Sequence, residues 1–382
     1  PFGDELEPFS LCPVDPGALD LLAELYDQLL PCFASRQLNV GCDETFDLGK
    51  GRSAAACEAK GKGRVYLEFL RQVHQLAAAR GRRIQFWGDV IVEHPELIAE
   101  LPGDAVALEW GYEAGHPFAE HGRSFAESGL DFYVCPGTSS WNSLVGRTGN
   151  ALVNLAEAAR HGLAHGAAGY LTTDWGDFGH LQPLPVSYLG WLAGAGFSWN
   201  AEAAEPEAHD WPRLLDLHAF CAPGSGLGRA YFDLGNVYQL PGPRPKNNST
   251  LFQLLLFARE TLVAPRFEAL SDEGLHAARE AIAGALARLS VPASSRPEVE
   301  LAAEELRGAA DALDFAARLG LARLAAGRDR HLLDLPDATR AALAAEVPDL
   351  LARHREIWLA RNRPGGLDES QHWLGRIRDL LL

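Results

Sequence analysis

Gln37-Leu38-Asn39-Val40-Gly41-Cys42-Asp43-Glu44-Thr45 is a strand-length run that ends in a glycine and two adjacent carboxylates. Gln37–Val40 fits a short β-strand, and Gly41 marks the place where the chain turns. Asp43 and Glu44 therefore stand just past a strand end. Two like charges side by side raise the pKa of one of them, which makes a usable proton donor near neutral pH. Taken alone, an Asp-Glu pair reads more readily as a solvated strand end, since such pairs are common. The rest of the chain decides between the two.

Four more strand-length runs follow: Arg83–Trp87, Ala105–Trp110, Asp131–Cys135 and Gly169–Thr173. Each is rich in β-branched or aromatic residues. Helical stretches lie between them. Gly17–Leu30 precedes the first strand. Val65, Phe69, Val73 and Leu76 share one helical face, and Gly81 closes that helix. Pro95–Leu101 reads as a short helix. Pro117–Ser128 is another, with Gly129 after it. Asn150–His165 is a fourth, with Asn150 placed as its N-cap. Strand and helix in alternation mean a parallel sheet with helices outside. The predicted class is α/β, a TIM-type (β/α)8 barrel of which five βα units are visible. Eight would close it. Either three further units lie upstream or the sheet is smaller and open, and the first is the expectation taken here.

The texture changes after the acidic segment Ala201–Glu207. From there Ala, Leu, Glu and Arg dominate, with helical periodicity in Thr250–Leu262, Asp272–Leu289, Glu298–Ala325 and Ala338–Ala360. The expected organisation is a barrel domain over 1–200 and a mainly α-helical region over 201–382.

Polar and aromatic residues gather after each strand: Trp87 and Asp89, Trp110 and Tyr112, Trp141, then Asp174, Trp175 and Asp177. The C-terminal mouth of a parallel barrel is where chemistry collects. Phe86-Trp87-Gly88-Asp89, Glu109-Trp110-Gly111-Tyr112 and Asp174-Trp175-Gly176-Asp177 repeat one grammar of Trp, Gly and a carboxylate or Tyr. Indole faces stack on the C–H faces of pyranose rings, and carboxylates accept hydrogen bonds from sugar hydroxyls. Any one tryptophan reads equally well as core; three at equivalent strand ends point to a sugar.

Other classes fit less well. The net charge of −17 argues against a nucleic-acid partner, which needs clustered Lys and Arg. No run of 18 apolar residues suggests a membrane span. Pro1–Pro8 carries three acids and does not read as a signal peptide. The chain begins with Pro1 and contains no Met, so Pro1 is not taken as the gene's first residue. The six scattered cysteines lack zinc or disulfide spacing and read as reduced thiols of a cytoplasmic protein. Gly49-Lys50-Gly51-Arg52 lacks the third glycine of a phosphate loop, and no Gly-x-Ser-x-Gly elbow is present. His161 and His165 stand at i, i+4 without a third metal ligand, His74 reads as structural, and His180 as lining the mouth.

At Gly41-Cys42-Asp43-Glu44-Thr45, and at the Trp-Gly-Asp and Asp-Trp-Gly-Asp segments, the sequence resembles glycoside hydrolase family 20, the β-N-acetylhexosaminidases. The likeness runs from about Leu11 to Asn200. It implies a retaining exo-glycosidase that removes terminal N-acetylglucosamine or N-acetylgalactosamine from an oligosaccharide or glycoconjugate by substrate-assisted catalysis, with no metal or organic cofactor. Glu44 would be the acid and then the base. Asp43 would hold the 2-acetamido group, whose carbonyl oxygen attacks the anomeric carbon. Trp87, Trp110 and Trp175 would wall the sugar, Asp177 would bind its distal hydroxyls, and Tyr112 or Tyr133 would hydrogen-bond the acetamido oxygen. Asp89 and Trp141 complete the expected substrate-binding set. The chain departs from the family at one point: there the Asp-Glu pair follows the fourth strand, and here it follows the first one visible. That departure motivates an alternative, a non-catalytic carbohydrate-binding protein on a degraded barrel. A metal-dependent barrel hydrolase is a third, weaker fit, because the paired His-x-His spacing is missing.

Overall fold

Strand alternation sorts the sheet into two faces. In Arg83–Trp87, Ile84 and Phe86 are fully buried, and in the next strand Ala107 is too. These residues pack with Phe132 and Val134 against apolar helix positions such as Leu67, Leu70 and Phe125. The intervening residues form the opposite face. The computed structural model describes residues 9–289, 291 and 296–382; the acidic Pro1–Pro8 stretch lies outside them.

Five strands make one all-parallel sheet in the order β1 (Gln37–Asn39), β2 (Arg83–Trp87), β3 (Val106–Trp110), β4 (Asp131–Cys135), β5 (Gly169–Tyr170). The sheet curls as half a barrel. By register, Trp87 pairs with Leu108, and Leu108 with Tyr133. Gln37, Asn39, Gln85, Trp87, Trp110 and Tyr133 therefore share the face turned away from the covering helices. The fifth strand is shorter than expected. Leu171 still donates to the Val134 carbonyl, but Pro136 has no N–H to continue the ladder; among the described residues an isolated bridge, Gly137 to Thr173, and a bond from the Thr138 amide to the Thr173 carbonyl follow.

The chain forms two compact units. The first holds residues up to Gly111, Pro117–Pro136 and Ala158–Leu171, and so contains the whole sheet. Its helices are α1 (Pro16–Leu29), α2 (Ala54–Lys60), α3 (Lys62–Ala78), α4 (Asp89–Val92) and α5 (Phe118–Ser128). Asp15 caps α1 by accepting from the Gly17 amide, and Pro16 opens it. Gly129, at φ 74°, ends α5 as the sequence suggests. Helix α6 (Thr148–Ala164) runs through the unit boundary. It starts two residues before Asn150, which therefore is not its N-cap. The Asn150 amide is used elsewhere: it donates to the Tyr112 carbonyl (2.6 Å) and to Ser139 Oγ (2.8 Å).

The second unit holds Tyr112–His116, Gly137–Glu157 and Thr172–Leu382. Its helices are α7 (Tyr188–Trp199), α8 (Trp211–Leu214), α9 (Leu227–Leu234), α10 (Thr250–Leu256), α11 (Asp272–Ala287), α12 (Pro297–Ala326), α13 (Asp337–Arg361) and α14 (Leu367–Leu381). Helix α10 stops at Leu256, short of Leu262, where Phe257 leaves helical geometry and lays its ring under the Arg266 guanidinium, 3.7 Å away. Helix α7 was hidden in the sequence by its glycines. One of them, Gly190, has a structural reason: a Cβ there would stand 2.6 Å from Thr138 Cα. Among the described residues, no helix is long and apolar enough to cross a membrane. The six cysteines are free thiols, with Cys57 and Cys135 buried.

Among the described residues three ion pairs tie α12 to α13, Glu305–Arg361, Arg318–Glu346 and Asp311–Arg353, and the first is the most buried. Glu305 is 1% exposed, and Arg361 closes on both its oxygens. Burial pushes the Glu305 carboxyl up even with the arginine in place. Arg361→Ala leaves a buried carboxylate without its partner, and a loss on the order of 3 kcal/mol is expected in urea unfolding. The Glu305→Leu, Arg361→Leu double variant should recover most of it, since no charge is left to desolvate. A single variant as stable as wild type would mean water solvates Glu305.

Candidate active site

The Asp-Glu turn is built on unusual backbone. Val40 is still in the ladder, donating to the Gln85 carbonyl at 2.8 Å. Gly41, Cys42 and Glu44 then take φ of 72°, 71° and 49°. Left-handed conformations cost free energy in Cys and Glu, and such strain collects at functional sites. The turn is held from several sides, and the Trp87 amide donates to the Gly41 carbonyl at 3.0 Å. The Gly41 amide donates to Asn39 Oδ1 (2.8 Å). Tyr66 Oη of α3 donates to the Cys42 carbonyl (2.9 Å). The Glu44 amide donates to Asp89 Oδ2 (3.0 Å).

Asp89 is the hub of this cluster. Trp110 Nε1 donates to its other oxygen at 3.2 Å. Burial pushes the Asp89 carboxyl up, and the charge of Asp43 adds to this, while the two donors pull it back. Burial first, then Asp43 and Asp89, push the Cys42 thiol up to about 12, so it stays protonated and inert. The Glu44 residue is exposed and Asp43 half-buried. A cleft of about 840 Å³ opens beside Asp43, walled by Val40, Cys42, Tyr66 and Phe69. Trp87 is 8% exposed and packs with Val106, Leu108 and Cys135, with Trp110 and Tyr133 half-buried on the same cluster. Two neighbouring carboxyl groups, one of them exposed, and an anchored indole thus stand on adjacent strand ends, groups of the kind general acid–base chemistry uses.

The second unit carries its own polar and aromatic group. Trp175, 37% exposed, donates from Nε1 to Tyr112 Oη at 3.0 Å. The Tyr112 ring meets Trp141 edge to face, 5.0 Å between centroids, and Trp141 is 1% exposed. Gly137 lies against both rings: a Cβ would stand 2.9 Å from Tyr112 Cδ1 and 2.5 Å from Trp141. Asn142 Nδ2 donates to Asp177 Oδ2 and to the Asn247 carbonyl, each at 3.2 Å. The Asn247 amide donates to Glu113 Oε1, and Glu113 is clasped by Arg147 through two bonds of 2.9 Å. Asp174 accepts from Thr138 Oγ1 (2.5 Å) and Ser140 Oγ (2.6 Å). Asn142 Oδ1, Asn247 Oδ1 and Arg147 Nε are buried and have no hydrogen-bond partner in the structure.

The structure thus joins Asp43, Glu44, Asp89 and Trp110 in one unit, and Tyr112, Trp141, Trp175 and Asp177 in the other. Tyr133 and Trp87 sit on the non-helical face of the sheet. Sequence reasoning missed Tyr66, Asn142, Arg147 and Glu113. The polar run Thr138-Ser139-Ser140-Trp141-Asn142 just past β4 was the available signal, and only its tryptophan was taken. His180 lines a cavity of about 170 Å³ with His354 and Trp358. His74 pairs with Asp104 at 2.8 Å.

No family model matches the chain, and no curated protein sequence does. Solved structures do. A chitobiase from Flavobacterium johnsoniae (FjGH20) is 13% identical, with a TM-score of 0.36, over 97% of this chain and 60% of its own. A GH138 enzyme targeting pectin rhamnogalacturonan II is 10% identical, with a TM-score of 0.53, over 97% of this chain and 65% of its own. The chain spans less than two thirds of either. The second likeness is one of fold.

Proposed function

We propose that the chain carries the catalytic carboxylates of a retaining glycoside hydrolase acting on terminal N-acetylhexosamine residues. The observation that supports this most is the strained Asp43-Glu44 turn at the end of β1, with the Glu44 amide fastened to Asp89 and Asp89 to Trp110. The fold shared with part of a GH138 enzyme is consistent with a sugar substrate. Glu44, exposed at the turn, protonates the glycosidic oxygen and then draws a proton from the attacking water. Asp43 holds the acetamido N–H. The acetamido oxygen supplies the nucleophile, so no second carboxylate nucleophile is required. Within the second unit by itself, Trp175 offers an indole face and Asp177 a carboxylate bonded to Asn142, and we assign that group a sugar contact of its own.

The test is release of p-nitrophenol from p-nitrophenyl N-acetyl-β-glucosaminide. Turnover that fails when the acetamido group is replaced by hydroxyl supports the proposal. Calorimetric binding of N-acetylglucosamine with no hydrolysis at any pH would replace it with a non-catalytic sugar-binding role.

A further inference from the structure

The turn that carries Trp175 and Asp177 is shut on itself and planted on the last two helices. Gln182 Nε2, from a residue 3% exposed, donates to the Trp175 carbonyl at 2.8 Å. His180 folds over Gly176 so closely that a Cβ there would collide with the imidazole. Phe178, Gly179 and His180 take φ of 50°, 86° and 53° in succession. Left-handed backbone is costly in Phe and His but not in glycine, so Phe178 and His180 keep it only where the surroundings over-determine them.

Those surroundings are α13 and α14. The Phe178 ring meets Trp373 of α14 edge to face at 5.4 Å. Gly179 lies on the same helix: a Cβ would stand 2.8 Å from Ser370 Cα and 3.0 Å from Trp373 Cδ1. The His180 ring stands edge-on to Trp358 of α13 at 6.5 Å. Ser370 is wholly buried, and its Oγ lies 2.9 Å from His354 Nε2 of α13, so the two helices offer the turn one joined surface. Burial, with His180 adding, holds the His354 imidazole down at about 4, which keeps it neutral near pH 7. Asp177 directly precedes this anchored triplet. Moving Phe178 would swing its carboxylate off Asn142 Nδ2.

We infer that α13 and α14 act as a clamp that sets the conformation of the turn 174–182, with Trp373, Ser370 and Trp358 as positioning residues for Trp175 and Asp177. The bearing of this clamp on sugar recognition rests on the function proposed above; the clamp itself does not. The C-terminal helices thereby gain a role in recognition, although none of the three named side chains is assigned to touch ligand.

The experiment is hydrogen–deuterium exchange on the full chain, paired with calorimetry using N-acetylglucosamine. In Trp373→Ala, amides of 174–182 should exchange faster while α11 and α12 keep wild-type rates, and affinity should fall about tenfold, the effect of one lost positioning contact. Trp373→Phe keeps an edge-to-face ring and should restore both. Asp177→Asn should weaken binding without raising exchange. Should Trp373→Ala fail to fold, Gly179→Ala breaks the same contact from the turn side. Unchanged exchange at 174–182, or faster exchange throughout the second unit, would overturn the clamp. Wild-type protein that binds no N-acetylglucosamine, with the local exchange pattern intact, would remove the sugar assignment and leave the clamp standing.

Discussion

Glu44→Gln is expected to lose at least about a thousandfold in kcat on N,N′-diacetylchitobiose, within the range general acid–base groups supply. Glutamine keeps the shape and the polar head of glutamate but has no proton to give. The main-chain hydrogen bond from the residue 44 N–H to Asp89 does not involve the substituted side chain and is kept. The loss should therefore fall on kcat and spare sugar binding. Leaving-group chemistry gives a sharper form of the prediction. p-Nitrophenolate departs without protonation, so the first bond cleavage should suffer much less on the nitrophenyl glycoside than on the disaccharide. Hydrolysis of the intermediate still needs Glu44 as base, and added azide should bypass that step and restore part of the nitrophenyl rate. Equal, mild losses on both substrates would mean that the proton comes from elsewhere and that Glu44 is a solvated strand end.

The turn could be located from sequence because its signals are local. An apolar run, a glycine and two acids occupy nine consecutive residues, and β1, β2, β3 and β4 each carry their own alternating or aromatic pattern. What the sequence hid depends on distant partners. Asp89 is legible as a carboxylate after β2, but its tie to residue 44 spans 45 positions. The strain at Cys42 and Glu44 has no compositional mark, since both are residues that ordinarily avoid positive φ. Asn150 looked like a helix cap because Asn prefers that place; here its amide serves the Tyr112 carbonyl and Ser139 instead. Asn142 and Asn247, both left-handed and 105 residues apart, meet only in the folded chain. Glycine obscured α7 by lowering its helix propensity, while close backbone packing at Gly190 requires that residue.

Asp43→Asn should separate substrates instead of abolishing activity. The proposed task of Asp43 is to accept the acetamido N–H and to offset the positive charge that grows on the acetamido group as its oxygen attacks. Asparagine can still accept a hydrogen bond but brings no charge, so a loss of about a hundredfold to a thousandfold is expected, the scale of a single removed electrostatic partner. Any slow hydrolysis of glycosides that lack the acetamido group should be untouched, because they present nothing for Asp43 to hold. A second readout needs no substrate. The charge of Asp43 raises both the Asp89 carboxyl and the Cys42 thiol. Removing it should lower the Asp89 pKa, measurable by carbon-detected NMR of the carboxylate, with the buried and hydrogen-bonded surroundings of Asp89 otherwise kept. The sign of the linkage follows. A carboxyl whose native pKa is raised stabilises the fold below its unfolded pKa and loses that contribution as pH rises through the native value. Asp43→Asn should then flatten the decline in stability across the mildly acidic range. An unshifted Asp89, with all glycosides slowed alike, would show that Asp43 does not face this cluster and would remove the physical basis for its role.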